Sequence, residues 1–195
     1  MPVPESVPEG VAMSVPVEEP LRRVRMSWEE FLALPPKPRN EWVDGEVVIM
    51  MAPVSYAHGR AATRLVALLA RLFPEHGVVT EVGLWLPRNR LRAPDVMLVA
   101  EPPDGDYVRD PPPLVAEVVS PSTRSEDIVR KAAEYAEGGV GQYWIVDPAL
   151  RTIDVLVNVD GAWRSRAHLD DTRPTAEVEL AGVVVPLDLR QILPP

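Results

Sequence analysis

The sequence contains no cysteine. Disulfide bonds and thiolate zinc sites are therefore excluded, because both require cysteine sulfur. The chain also lacks any apolar run near the roughly 20 residues that cross a bilayer. Its N-terminus lacks the basic start and continuous apolar stretch of a secretory signal. These absences predict a cytoplasmic protein that does not associate with membranes.

Lysine is scarce as well. Only Lys37 and Lys131 occur among the 20 basic residues, so arginine supplies most of the positive charge. Lysine is a compact ammonium whose pKa can shift, whereas arginine stays charged. A lysine in the middle of the chain therefore suggests a specific role for Lys131.

Acidic residues outnumber basic ones, and the formal net charge is −9. This balance argues against broad, non-specific affinity for nucleic acid, because phosphate binding depends mainly on Lys and Arg. A local basic cleft or a bound metal ion can override the global charge. The net charge therefore does not exclude a nuclease.

What is present is the composition of a globular protein, with 195 residues, 46% of them hydrophobic and 25% charged. Residues 1–24 carry proline at positions 2, 4, 8, 16 and 20 and show no apolar period. This pattern predicts a disordered or extended tail. We expect residues 25–195 to form a single domain.

Capping, turn and periodicity signals divide this domain into helices and strands. The predicted order is a helix at 27–34, a hairpin about Asp44-Gly45, a helix at 55–73, a strand at 78–86 that Gly83 could bend, strands at 92–99 and 114–119, a helix at 125–137, a strand at 142–147, a hairpin about Asp160-Gly161, and one or two edge strands at 175–189. The helix at 125–137 would form a crossover between parallel strands. A mixed sheet with helices on its faces follows.

Two carboxylates lie in the middle of this order. Asp95 opens one apolar run and Glu117 lies inside the next, with a Pro/Asp/Gly loop between them. If the runs pair antiparallel, the midpoint of the two acids is residue 106, inside that loop. Opposed residues have Cβ atoms about 4.5–5.5 Å apart, and carboxylates that close repel each other unless a cation neutralises them. The pair therefore predicts a metal site.

The order of these motifs resembles that of the PD-(D/E)XK nuclease superfamily. Their local sequence resembles its Uma-type branch of restriction-endonuclease-like proteins. The resemblance covers about residues 26–165. The segments that carry it are Asp44-Gly45-Glu46, Ala52-Pro53 with Ser55 and His58, Pro94-Asp95-Val96, Glu117-Val118-Val119-Ser120-Pro121-Ser122-Thr123, Lys131 with Tyr135, and Gly139-Val140 leading into Tyr143-Trp144-Ile145-Val146-Asp147-Pro148. It implies an α/β (α+β) restriction-endonuclease-like core, in which helices flank a central mixed β-sheet.

The resemblance also implies metal-dependent hydrolysis of phosphodiester bonds in DNA, with RNA not excluded. Asp95, Glu117 and the carbonyl of Val118 would hold Mg²⁺, for which Mn²⁺ can substitute. Lys131 would orient or deprotonate the attacking water, or stabilise the developing negative charge. Double-strand cutting usually requires two copies, so a homodimer is a further expectation.

Two more residues are candidates for supporting roles. Glu46 leaves the first hairpin and could be a further metal ligand, directly or through water. His58 begins the apolar stripe of the helix at 55–73 and could hydrogen-bond a carboxylate and hold it in place. Both have simpler interpretations, Glu46 as the exit residue of a turn and His58 as an ordinary residue at a helix end.

One position departs from the superfamily pattern. The lysine normally lies two residues after the second acidic residue, where this chain has Val119. The resemblance to the Uma-type branch implies that Lys131, on the following helix, takes over that role. The alternative is that Asp127 and Lys131 form an i,i+4 pair on a solvated helix face. In that case the chain would be a catalytically inactive nuclease fold that serves as an interaction or regulatory module.

Overall fold

The computed structural model describes residues 21–34, 40–50, 54–120 and 124–194. In chain order the elements are β1 (Leu21–Arg25), α1 (Trp28–Leu32), β2 (Asn40–Val43), β3 (Glu46–Met50), α2 (Tyr56–Leu72), β4 (Gly77–Val79), β5 (Leu84–Leu86), β6 (Arg90–Arg92), β7 (Val96–Val99), β8 (Leu114–Val118), a π-helical segment (Glu126–Lys131) that continues into α3 (Ala132–Glu137), β9 (Gln142–Asp147), β10 (Thr152–Val159), β11 (Ala162–Leu169), β12 (Thr175–Leu180), β13 (Val183–Asp188) and α4 (Leu189–Ile192).

The central sheet is mixed and has the strand order β11-β10-β9-β8-β7-β4. Strands β8 and β9 run parallel and are joined through the π-helical segment and α3, so the predicted crossover is confirmed. The other neighbouring pairs are antiparallel. The predicted mixed α+β fold is confirmed as well.

The two faces of the central sheet pack against different helices. Leu65 and Leu69 of α2 belong to one buried cluster, together with alternate residues of β7 and β8. Tyr135 of α3 belongs to a second cluster with the intervening strand residues, among them Val115 and Val119. This alternation follows from the two-residue period of a strand. It leaves Glu117 in phase with the residues that face α3.

A second sheet, with the order β1-β3-β2-β6-β5, lies toward the N-terminus. The Asp44-Gly45 turn joins β2 to β3, as predicted, and both of its residues have positive φ, 53° and 82°. Within this sheet, Leu21–Arg25 pairs with β3. The folded part therefore includes the last four residues of the predicted tail 1–24, and residues 1–20 lie outside the described residues.

Helix α2 follows the predicted limits closely. Ser55 is the N-cap, its hydroxyl oxygen accepts a hydrogen bond from the backbone N–H of His58, and the helix is capped at Phe73. The crossover helix also ends where predicted, at Gly138-Gly139, with Gly139 at a φ of 75°. Its segment Glu126–Lys131 is a π-helix instead of an α-helix.

One strand prediction is wrong. The single strand over 78–86 is in fact two strands, β4 in the central sheet and β5 in the second sheet, because the chain changes sheets between them. The predicted one or two edge strands at 175–189 are two, β12 and β13, which pair with each other as a separate two-stranded sheet. Their apolar residues Val178, Leu180, Val185 and Leu187 are buried in the α2 cluster.

No helix among the described residues is both long enough and apolar enough to span a membrane.

Candidate active site

Asp95 and Glu117 lie opposite each other at one end of the β7–β8 hairpin. The strands pair Val96 with Ala116 and Leu98 with Leu114, and the next step of this register pairs the two acids. The predicted pairing about residue 106 is therefore confirmed. Both side chains are buried, with exposed fractions of 6% and 2%. The sheet thus brings two carboxylates together in a place where water reaches neither of them freely.

The carboxylate of Glu117 is held through one of its oxygens. Oε1 accepts hydrogen bonds from Lys131 Nζ at 3.0 Å and from the Tyr135 hydroxyl at 2.7 Å. Burial is the main cause that raises the pKa of Glu117 well above its ordinary value. The charge of Lys131 opposes this rise, and the negative charge of Asp95 adds to it. A nearby cation would offset both the cost of burying the Glu117 carboxylate and its repulsion by Asp95.

Asp95 is held from two sides. Its Oδ2 accepts a hydrogen bond from the backbone N–H of Val118 at 2.8 Å. His58, from the first turn of α2, places Nε2 3.2 Å from Oδ1. This is the contact expected of a histidine that orients a carboxylate. The N-cap at Ser55 sets the start of α2 and hence the position of His58 on its first turn.

Lys131 is fully buried, with 1% of its side chain exposed. The Nζ atom lies 3.0 Å from Glu117 Oε1, 3.2 Å from Glu41 Oε1 and 3.2 Å from Asp127 Oδ1. Burial alone would lower the pKa of Lys131, but these three carboxylates raise it well above its ordinary value. Lys131 is therefore an ammonium. The i,i+4 pair with Asp127 exists, but it lies in the interior and not on a solvated helix face.

The π-helical segment Glu126–Lys131 carries this lysine into the interior. Glu126, Asp127 and Lys131 are all buried, although they lie in six consecutive residues that also include the exposed Val129 and Arg130. A π-turn widens the helix and changes the directions of its side chains relative to an α-helix, and such turns are frequent at functional sites. The sequence indicated a helix here but not this geometry.

A buried charge network behind Lys131 escaped the sequence interpretation. Glu41 on β2 accepts hydrogen bonds from Arg92 Nη1 at 2.7 Å and from the backbone N–H of Ala93 at 3.1 Å.

Arg92 also donates to both carboxylate oxygens of Glu134, at 2.6 and 2.9 Å. Its Nη2 lies 3.0 Å from Glu126, which pairs with Arg23 of β1 at 2.6 Å.

The charges in this network strongly affect Glu41. Burial would raise the pKa of Glu41, but the charges of Lys131 and Arg92 and the hydrogen bond from Ala93 lower it from 4.5 to about 2. One sequence signal pointed to Glu41. It alternates with Val43 on the buried face of β2, where an unpaired carboxylate is costly. The partners themselves come from distant segments.

Glu46 and Val119, two positions considered in the sequence, do not belong to the cluster of Asp95, Glu117 and Lys131. The side chain of Glu46 is 39% exposed and lies 4.0 Å from Arg25 Nε, so its observed ion pair is on the surface of β3. The structure does not bring Glu46 into the Asp95–Glu117–Lys131 cluster. Val119 is 4% exposed and packs in the apolar cluster of α3. Lys131 thus reaches Glu117 from the helix, while Val119 contributes to the core.

The donor chemistry at Asp95 and Glu117 fits a hard divalent cation. Mg²⁺ prefers oxygen ligands and is commonly held by one or two carboxylates plus waters and substrate phosphates. Across residues 21–34, 40–50, 54–120 and 124–194, no three His, Asp or Glu side chains form a group that could hold a metal ion. An ion at this site would therefore use the two carboxylates, the neighbouring Val118 carbonyl, and waters or a phosphate.

Comparison with known proteins concerns the family and the fold of the chain. The sequence profile of the Uma2 family, described as "Putative restriction endonuclease", matches residues 28–189. A crystal structure from Anabaena variabilis, described as "a putative nuclease belonging to DUF820", has a TM-score of 0.69 and 16% sequence identity to this chain. The match covers 85% of this chain and 96% of that one. At this identity the likeness shows a shared fold. No curated protein matches the chain significantly.

Proposed function

Because the chain belongs to the Uma2 family, we propose that it is a Mg²⁺-dependent endonuclease that hydrolyses phosphodiester bonds in DNA. A nuclease role is supported by the family and by the shared fold. The observation that carries the metal dependence and the chemistry is the meeting of Asp95, Glu117 and Lys131. Two buried carboxylates oppose each other, and a buried ammonium lies 3.0 Å from one of them.

In this proposal, Asp95, Glu117 and the Val118 carbonyl would hold the ion. A divalent cation held there would supply Lewis acidity for the hydrolysis. The protein orients both carboxylates. The N–H of Val118 and the imidazole of His58 fix Asp95, whereas Tyr135 and Lys131 donate to Oε1 of Glu117.

Lys131 acts as a charge and a hydrogen-bond donor. An ammonium has no lone pair, so it cannot take a proton from water while it remains charged among three carboxylates. Of the roles implied by the resemblance, stabilisation of the developing negative charge on the phosphate and orientation of the water are compatible with an ammonium. Removal of the proton from water then falls to another group.

Purified protein should be tested for metal binding and for cleavage in parallel. Mn²⁺ binding by calorimetry requires no assumption about the substrate, and supercoiled plasmid, single-stranded DNA and structured RNA then test the nucleic acid. The critical variant is Glu117→Gln. A matched control is Glu177→Gln, since Glu177 is an exposed glutamate on β12. We expect Glu117→Gln to lose both Mn²⁺ binding and Mg²⁺-dependent DNA cleavage, and Glu177→Gln to keep both.

Other outcomes would change the assignment. Cleavage of RNA alone would change the proposed substrate from DNA to RNA. Cleavage that is equal with and without a divalent ion would contradict the proposed metal dependence. A parent protein that binds Mn²⁺ but cleaves none of the three substrates would favour an inactive nuclease fold that binds a partner. A homodimer is part of the proposal, because cutting both strands needs two sites, and sedimentation equilibrium tests it.

A further inference from the structure

Glu41 lies between two cations that have different roles. Its Oε1 is 3.2 Å from Lys131 Nζ, and its Oε2 accepts a hydrogen bond from Arg92 at 2.7 Å. Both cations are also fully buried, with exposed fractions of 1% and 0%. A carboxylate in this place attracts both cations and screens them from each other.

We infer that Glu41 is a positioning residue, which holds the Lys131 ammonium beside Glu117 and keeps it apart from the Arg92 guanidinium. This inference rests on the proposed function, because it concerns the same site. Glu41 acts through Lys131 and is not itself assigned to the metal or the substrate.

The origin of the three carboxylates around Lys131 supports this role. Asp127 lies on the same π-helical segment, one turn before the lysine, and Glu117 lies on β8 of the central sheet. Glu41 comes from β2 of the other sheet. The carboxylates of Asp127 and Glu117 hold Lys131 from its own helix and from the central sheet, but not from the side of the second sheet. Glu41 supplies the contact in that direction.

Glu41 is itself held firmly enough to act as a reference point. Its side chain is 0% exposed, and Oε1 accepts a hydrogen bond from the backbone N–H of Ala93. Ala93 directly follows β6, the neighbour of β2 in the second sheet. The Glu41 carboxylate is therefore anchored by the backbone and by Arg92, and from this fixed position it contacts Lys131.

The need to neutralise the charge of Arg92 does not by itself explain why a carboxylate is buried at position 41. Arg92 already binds both oxygens of Glu134 and lies 3.0 Å from Glu126. Buried ion pairs often contribute little net stability relative to apolar packing. A further carboxylate is thus better explained by what it does for Lys131.

The matched pair of variants is Glu41→Gln and Glu134→Gln. Each removes one buried carboxylate partner of Arg92, but only Glu41 also contacts Lys131. Glu41→Asp is the milder variant, because it keeps the charge and shortens the reach, and it replaces Glu41→Gln if that variant does not fold. Urea unfolding of every variant records the purely structural effect.

The first readout is the side-chain ammonium of Lys131 in protein with ¹⁵N-labelled lysine. The chain has only two lysines, so a Lys37→Arg variant assigns the signals. A buried, hydrogen-bonded ammonium exchanges slowly and gives a ¹H–¹⁵N cross-peak. We expect this peak to shift or vanish in Glu41→Gln and Glu41→Asp and to persist in Glu134→Gln.

The second readout is steady-state DNA cleavage. A misplaced Lys131 should lower kcat by about tenfold to a hundredfold with little change in KM, because the substrate still binds. Glu134→Gln should retain kcat within about threefold despite a similar loss of stability. Equal effects of the two variants on the Lys131 peak, or no effect of either, would overturn the inference. If the parent cleaves no substrate, the proposed function fails, and the Lys131 peak alone then decides the role of Glu41.

Discussion

Lys131 and Glu117 are joined by a 3.0 Å hydrogen bond although they are 14 residues apart and belong to a helix and a strand. The crossover that joins parallel strands β8 and β9 makes this contact, because its helix returns over the face of the sheet on which Glu117 lies. The π-turn then directs the lysine inward. A lysine on the crossover helix can thus reach Glu117, although the strand position two residues after Glu117 holds the apolar Val119.

Replacement of Lys131 by methionine should destabilise the fold by about 3–5 kcal/mol, because it leaves buried carboxylates without their shared cation. Urea unfolding measures the change. Arg130→Met is the control, since Arg130 lies on the same turn and its side chain is 51% exposed. We expect the control to stay within about 0.5 kcal/mol of the parent. Equal stability of Lys131→Met and the parent would contradict the observed burial.

Tyr135→Phe should lower kcat for DNA cleavage more than another buried Tyr→Phe variant that causes a similar loss of stability. The variant removes the hydroxyl that donates to Glu117 Oε1 at 2.7 Å and should cost about 1–3 kcal/mol by urea unfolding. Tyr143→Phe is the comparison, because its equally buried hydroxyl donates to the backbone carbonyl of Asp127. We expect similar losses of stability from both variants and a larger loss of kcat from Tyr135→Phe. The reverse ranking in kcat would argue against a role for Tyr135 in orienting Glu117.

His58→Asn should weaken Mn²⁺ binding by about tenfold to a hundredfold, the usual effect of removing a group that orients a ligand. The reason is the 3.2 Å contact between Nε2 and Asp95 Oδ1. Calorimetry measures the affinity. His168→Asn is the control, because His168 also contacts an aspartate, Asp154, but at a partly exposed place on β10 and β11. An unchanged Mn²⁺ affinity in His58→Asn would leave His58 as an ordinary residue at a helix end.

The free energy of unfolding should fall in acid, partly because Glu41 is buried as a charged carboxylate. In the unfolded chain Glu41 takes up a proton near its ordinary pKa of 4.5, whereas in the folded protein it does so only near 2. The depressed pKa stabilises the folded state by about 3 kcal/mol above pH 4.5, and this contribution is lost as the pH falls toward 2.

The measurement is urea unfolding of the parent and of Glu41→Gln from about pH 6 to about pH 3. The stability of the parent should fall more steeply with decreasing pH than that of Glu41→Gln, because only the parent loses this contribution. The exposed variant Glu177→Gln should follow the parent. Parallel curves for the parent and Glu41→Gln would contradict the low pKa.

Local signals determined much of the fold. Ser55 as N-cap, the Asp44-Gly45 turn and the Gly138-Gly139 stop act through backbone geometry that depends on a few neighbouring residues. The pairing of Asp95 with Glu117 was also predictable, because a hairpin fixes the register of its strands about its loop. Glu117 was recognisable within an apolar run, since an unpaired carboxylate there is costly.

Tertiary structure decided the rest. The segment 78–86 carries the apolar pattern of one strand, yet only the packing of the two sheets determines that the chain leaves one for the other between Val79 and Leu84. Hairpin position predicts a role for Glu46 and none for Glu41, because it does not say which acid will meet cations from distant segments. Arg92, Lys131 and Glu41 meet across two sheets and a helix. Long-range electrostatics selects such partners, and no local pattern of residues encodes it.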